Sequence, residues 1–436
     1  SSCSFTGDHA GALSVSVNGS LIVKQTTNYA AVNGRSWRVG GFIGYVQGLE
    51  QLAVVSFENC ANNGIVTGSV NDVGGFIGDI RLNTNIAMII SNSLNNGNIA
   101  GNEAYVGGFV GTISDNTNMT VTISDSINNG SVSGKQGIGG FVGVVSDSTN
   151  MAVTIANSTN KGFTNGSGDY VGGFIGYIET SPSIAITISN STNNGKTTGS
   201  HHVGGFVGNL FNNNNLNITI SNSTNNADIT CSVQFVGGFV GCIYRNTDMV
   251  MTISQSTNNG NITSGSFDAG GFAGYIRNNT HSVMAFSHLV NNGNVTGTDS
   301  LGGFVGLMRD NTNMNMMVSN SINNGNVTGR VCIGGFLGVI SSTLSMTVTI
   351  SNSINNGNVT GSHTVGGFAG CIWFISDLYS ITLYIINSAN KGSVSATEGM
   401  ACGFVCVDPK YHFNVKTTMK NSINKGSVNA GTNAYG

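Results

Sequence analysis

The chain has 436 residues, of which 39% are hydrophobic, 8% aromatic and only 8% charged, for a formal net charge of −3. That balance excludes strong electrostatic attraction to nucleic acid or an anionic membrane. No apolar run reaches transmembrane length, since the stretch from Cys371 to Ile386 is broken by Ser376, Asp377 and Ser380. The chain begins at Ser1 with no visible secretory leader, and so reads as processed or excerpted.

Residues 1–38 read as degenerate first coils of a repeat array. Phe5-Thr6-Gly7 resembles the tail of a coil, Ala10-Gly11-Ala12-Leu13 a degenerate Val-Gly-Gly-Phe, and Val23 through Gly34 aligns with Ile350 through Gly361. Regular repeats fill residues 39–400. Val-Gly-Gly-Phe-(Val/Ile)-Gly starts at Val39 and returns with its Phe at Phe42, Phe76, Phe109, Phe141, Phe174, Phe206, Phe239, Phe272, Phe304, Phe336 and Phe368. Residues 401–436 hold a divergent last copy around Phe404, and Asn433-Ala434-Tyr435 resembles the lead-in Glu103-Ala104-Tyr105. A near-constant spacing of about 32 residues marks a solenoid, in which each repeat buries its apolar face against its neighbours.

Each repeat contains three extended segments. Ile138 to Val145 is followed by the Ser146–Asn150 turn, then by Met151 to Ser158, an Asn160-Lys161-Gly162 turn and a short third segment. The second segment alternates with the period of a half-buried strand. Its inward columns read Met119, Met151, Ile184, Leu216, Met249, Met314, Met346 and Val121, Val153, Ile186, Ile218, Met251, Met316, Val348. Between them Thr122, Thr154, Thr187, Thr219, Thr252 and Thr349 face out. With 64 Gly and 2 Pro, the turns rely on Asn-Gly, which tolerates positive φ. These features predict an all-β parallel solenoid of about 12–13 coils, three strand segments per coil, some 60 Å long.

A polar column succeeds most of the Phe positions by about 16 residues: Asn59, Asn92, Asp125, Asn157, Asn190, Asn222, Gln255, His288, Asn320, Asn352, Asn387 and Asn421. Its parity along the second segment predicts an inward amide ladder bonded from coil to coil.

Gly-Gly-Phe-Val-Gly followed by Ile350-Ser351-Asn352-Ser353-Ile354-Asn355-Asn356-Gly357-Asn358-Val359-Thr360-Gly361 resembles the GLUG repeat of bacterial and protist surface proteins, over nearly the whole chain. The family more usually has Leu where these copies have Phe. The resemblance implies a secreted or surface-anchored array.

The first segment is apolar on both faces. Phe42, Val46, Ile80 and Ile113 share one, while Val39, Val73, Val106 and Ile138 lie on the other. Either the same coil covers the second face, or it forms an apolar stripe for lateral contact. The ends leave a similar choice: a window of a longer array, or ends that stack on other copies into a fibre.

Sequons recur at one repeat position, Asn261, Asn294, Asn326 and Asn358, where side chains should face out. Asn18, Asn118 and Asn278 also fit, as do Asn129, Asn165 and Asn217, whereas the expected inward ladder would shield Asn157, Asn190 and Asn222. N-linked glycans are thus expected partners, beside other copies of the chain.

Cys242 and Cys371 share a repeat position four coils apart, about 19 Å, too far to bridge. Cys402 and Cys406, about 13 Å apart on an extended strand, should not pair either. Cys3, Cys60, Cys231 and Cys332 fall at unrelated phases and read as small buried residues. Asp115 and Asp147, with Asp310 further along, form the best carboxylate cluster, weak for calcium or catalysis because each opens an Asx-type turn. Trp373, Phe374, Tyr379 and Tyr384 in a lengthened repeat read as local packing, with sugar stacking as the alternative. Ice binding would need a second Thr column, but the companion reads Thr120, Ala152, Ala185, Asn217, Val250, Asn315, Thr347. No catalytic, cofactor or metal motif emerges. The expectation is a non-enzymatic extracellular structural element, with an adhesin segment as runner-up.

Overall fold

The computed structural model describes residues 4–17, 19–50, 52–373, 379–407, 414–431 and 433–435. Its chain divides into two compact units, residues 1–219 and 220–436, and each is a parallel β-solenoid. Among the described residues every regular element is a strand, and no helix is long and apolar enough to cross a membrane.

One coil of the first unit shows how the repeat folds. A lead strand, Ala104–Gly107, runs into a core strand, Val110–Ser114. A facing strand, Thr120–Ser124, returns along the other side of the core. A two-residue corner strand, Ile127–Asn128, and a closing strand, Val132–Gly134, complete the circuit. In the second unit Asp299–Gly302, Val305–Arg309, Asn315–Ser319, Ile322–Asn323 and Val327–Thr328 repeat the pattern. The first extended segment of each repeat is therefore bent, at Gly-Phe, into lead and core strands. Glycine is required there: a Cβ on Gly108 would overlap the Gly140 carbonyl oxygen and press on the Asn128 side chain.

Successive coils pair in parallel register, Val121 with Val153 in the first unit and Met316 with Val348 in the second. Equivalent side chains therefore stack at the strand spacing, and the core is a set of columns. Phe109, Phe141 and Phe174 stack at 5.0 and 4.8 Å with rings within 8° of parallel. Phe304, Phe336 and Phe368 stack at 4.5 and 4.7 Å with rings within 9° of parallel. Phe42, Phe76 and Phe206 continue the first unit's column, and Phe239, Phe272 and Phe404 the second's. Across the core, Met119, Met151, Met249, Met314 and Met346 are buried. Burying such side chains stabilises by roughly 1.5–3 kcal/mol each, which makes the columns the main source of stability.

The inward amide ladder lies three residues beyond the column that parity suggested. Asn59, Asn92, Asn157, Asn190, Asn222, Asn320, Asn352, Asn387 and Asn421 are exposed, as are Asp125, Gln255 and His288. All twelve have positive φ, so the chain turns there and the strand alternation ends. The buried ladder is Asn28, Asn62, Asn95, Asn128, Asn160 and Asn193 in the first unit, each Nδ2 donating to the next Oδ1 at 2.8–3.0 Å. Asn225, Asn258, Asn291, Asn323, Asn355, Asn390 and Asn424 form it in the second, at 2.8 Å throughout.

A second correction concerns Cys402 and Cys406, which form a disulfide with Cα atoms 5.5 Å apart. The distance on an extended strand does not apply, because the bend at Gly403-Phe404 folds the two flanks together.

Candidate functional site: the outer column

Val39, Val73, Val106 and Ile138 are fully buried, so the second apolar face leaves no exposed stripe. The cover is the coil's own chain. Each lead strand folds back over the outward face of the core strand and creates a second packing layer outside the main core.

Two positions per coil fill that layer. The first precedes the buried apolar residue of the lead strand and has positive φ in eleven coils: Arg38, Asp72, Tyr105, Gly137, Tyr170 and His202 in the first unit, then Phe235, Asp268, Ser300, Cys332 and Thr364 in the second. Left-handed backbone at Tyr, Phe or Thr is uncommon and costs energy, so the surrounding coil imposes it. The second position lies on the core strand seven residues later, and is aligned from coil to coil as Tyr45, Asp79, Thr112, Val144, Tyr177 and Asn209, then Cys242, Tyr275, Leu307, Val339 and Cys371. Unlike the inner columns, this one changes chemistry from coil to coil.

In the first unit it begins charged. Asp79 is fully buried, 3.1 Å from Arg38 Nε and 2.9 Å from Arg81 Nε, although neither contact is well aligned as a hydrogen bond. Burial, and secondarily Asp72, pushes its carboxyl up to about 7, against the pull of Arg81 and Arg38. Asp72, also raised by burial, accepts a 2.6 Å hydrogen bond from Thr112. Farther along, Tyr170 stacks on Tyr177 at 4.2 Å and meets His202 at 5.0 Å. Burial raises the Tyr177 phenol and lowers the His202 imidazole to about 4. Beside them His201 Nδ1 lies 2.8 Å from Asp169.

In the second unit Phe235 packs against Tyr275 with rings tilted by 37° and 4.1 Å apart, and Arg277 donates to the Tyr275 hydroxyl and to Asp310 at 3.0 and 2.8 Å. Asp268 is buried, and its carboxyl rises to about 7 chiefly through desolvation. The column then turns apolar, with Cys242, Tyr275, Leu307, Cys332, Val339 and Cys371 in one cluster. A carboxyl as enclosed as Asp79 cannot touch a substrate unless the coil opens, so its role here is that of a buried structural group between Arg38 and Arg81.

The other residues singled out in the sequence lie apart. Asp115 and Asp147 are exposed at positive-φ turn positions, Asp115 only 3.9 Å from Arg81. Among the described residues no group of three His, Cys, Asp or Glu converges as a metal site would require. Asn261, Asn294, Asn326 and Asn358 form an exposed column in the second unit, and the first three each accept the backbone N–H of the next at 2.9–3.1 Å. Asn118 is exposed and donates to Asn85 at 3.1 Å, and Asn278 is half-buried. Cys3, Asn18, Phe374 and the Trp373 side chain lie outside the described residues.

A cavity of about 350 Å³ opens in the first unit onto Phe42, lined by Phe5, Leu13, Asn28 and Tyr29 among others. Leu13 and Tyr29 are 49% and 78% exposed, so this face of the coil is apolar and uncovered.

Sequence reading missed three features: the true amide ladder, the disulfide and the outer column. The ladder had a legible signal, because its position is Asn in every copy while the exposed column admits Asp125, Gln255 and His288. The outer column had one too, being the most variable pair of positions in a monotonous repeat. No protein-family model matches the chain, and no curated protein matches it.

Proposed function

We propose that this chain is a non-enzymatic structural repeat protein of an extracellular or cell-surface fibre, built by coil stacking and self-association. The observation that supports it best is the polarity of the buried ladder. Within each unit the ladder runs one way, each inner rung donating forward and accepting from behind, as Asn95 does between Asn62 and Asn128. An edge that offers donors therefore complements one that offers acceptors, and addition of a coil from another copy repeats bonds already present within each unit. Such head-to-tail contact is heterologous and propagates as a filament rather than closing. The apolar opening onto Phe42 suits the same contact. The resemblance to GLUG repeats supports a surface location, and the exposed Asn261–Asn358 column would carry N-linked glycans on a eukaryotic secretory route.

An adhesin reading stands second, on the partly exposed Tyr105 and Tyr170 of the outer column, which would stack on a sugar or peptide. Electron microscopy and sedimentation of residues 1–436 over a concentration range test the first reading. Unbranched filaments that lengthen with concentration are expected. Single particles at every concentration overturn it and direct attention to ligand screening of the tyrosine face.

A further inference from the structure

Along the sequence the cysteines look scattered, but the coil geometry sets two of them together. The positive-φ residue of a lead strand meets the core-strand residue seven positions on, as Tyr170 meets Tyr177 at 4.2 Å and Arg38 lies 4.9 Å from the Tyr45 ring. It also meets the aligned residue of the next coil. Asp72 accepts a hydrogen bond from Thr112 in this way, and the Phe235 ring packs against Tyr275.

Cys332 is the positive-φ residue of its coil, with φ 60. Its core-strand partner is Val339, which pairs in register with Cys371 of the next coil. Cys332 and Cys371 thus stand in the relation of Asp72 to Thr112 and of Phe235 to Tyr275. Both carry thiols, at 9% and 6% exposure, inside one apolar cluster. The other thiol of that cluster, Cys242, occupies the core-strand position four coils away, about 19 Å from Cys371, and is out of reach. The same unit holds the Cys402–Cys406 disulfide, a bond that persists in oxidising compartments and is rare in reducing ones.

We propose that Cys332 and Cys371 are a disulfide site joining two successive coils, oxidised by a low-molecular-weight disulfide under conditions that form Cys402–Cys406. One cysteine thiolate attacks a sulfur of the oxidant and expels one thiolate. The second cysteine thiolate attacks the resulting mixed disulfide and expels the other. Two protein thiols and one oxidant disulfide thus become one protein disulfide and two small thiols. The lead strand and the next core strand would then be tied covalently, through the layer whose chemistry changes from coil to coil. The pairing does not depend on fibre formation.

The test is non-reducing peptide mapping of residues 1–436, fully reduced and then equilibrated with oxidised glutathione at the lowest level that bridges Cys402 and Cys406, with remaining thiols alkylated. Cys332 and Cys371 peptides joined to each other are expected, with Cys242 alkylated. In Cys332→Ser the Cys371 peptide should become fully alkylated, while Cys242→Ser should keep the bridge. Full alkylation of Cys332 and Cys371 in the wild-type chain overturns the proposal. Pairing of either with Cys242, or arrest as a glutathione adduct, overturns it too. The wild-type map decides the matter even if a variant misfolds.

Discussion

The inner core and the outer column occupy the same coils and obey different rules. Inside, Phe stacks on Phe and Asn bonds to Asn, so these two columns keep one residue type, while the facing-strand columns keep to apolar residues. Outside, Asp79 faces two arginines, Tyr170 faces Tyr177, and Cys332 shares an apolar cluster with Cys371. A rung-to-rung ladder propagates any change to both neighbours, and that enforces uniformity. The outer layer is filled pairwise, which lets each coil carry its own chemistry on an unchanged frame. The shifted carboxyls, Asp72, Asp79, Glu179 and Asp268, belong to this layer or adjoin it.

The sharpest way to break this contrast is Phe141→Ala. It opens a cavity between Phe109 and Phe174 and should cost about 3–5 kcal/mol by urea denaturation. A loss below about 1 kcal/mol would mean that the column tolerates gaps and that the inner layer is not the stricter one. Next comes Asn128→Ala, which strands the amides of Asn95 and Asn160 and the Gly130 carbonyl, for an expected loss of about 2–3 kcal/mol.

The outer column is read best through pH. Burial lifts Asp79 and Asp268 to about 7, above the 3.8 of an unfolded aspartate, so the folded state retains protons that the unfolded state has released. Their contribution to stability is full below 3.8, falls as pH rises toward 7 and then levels off, a change on the order of 4 kcal/mol for each. Asp79→Asn should flatten part of this slope in a series of melting curves. An unchanged slope would show that the arginines hold Asp79 ionised across the whole range. The smallest effect belongs to Asn157→Gly, which preserves the left-handed turn and should stay within about 0.5 kcal/mol. If it matches Asn128→Ala, the distinction between buried and exposed amide columns fails.

Much of the architecture is legible in the chain because the repeat prints its own register. Phe42 through Phe404 recur at nearly constant spacing, and the alternation through Met151, Val153 and Ile155 marks an inward strand face. The same alternation misleads at Asn157, where positive φ breaks the strand and parity no longer tells inside from outside. Substitution within the exposed column, as at His288, is a better guide than parity. Cys402 and Cys406 mislead for a related reason, because a separation of four residues means one distance on a strand and another across a bend.

The sequence by itself determined the coil, since period, alternation and Asn-Gly turns are local properties that leave the backbone few other ways to bury its apolar residues. Only the tertiary structure decided what lies on the outer face of the core strand. That contact joins residues seven and about forty positions apart, it depends on a left-handed residue that no composition rule demands, and it exists only once one coil has closed over the next.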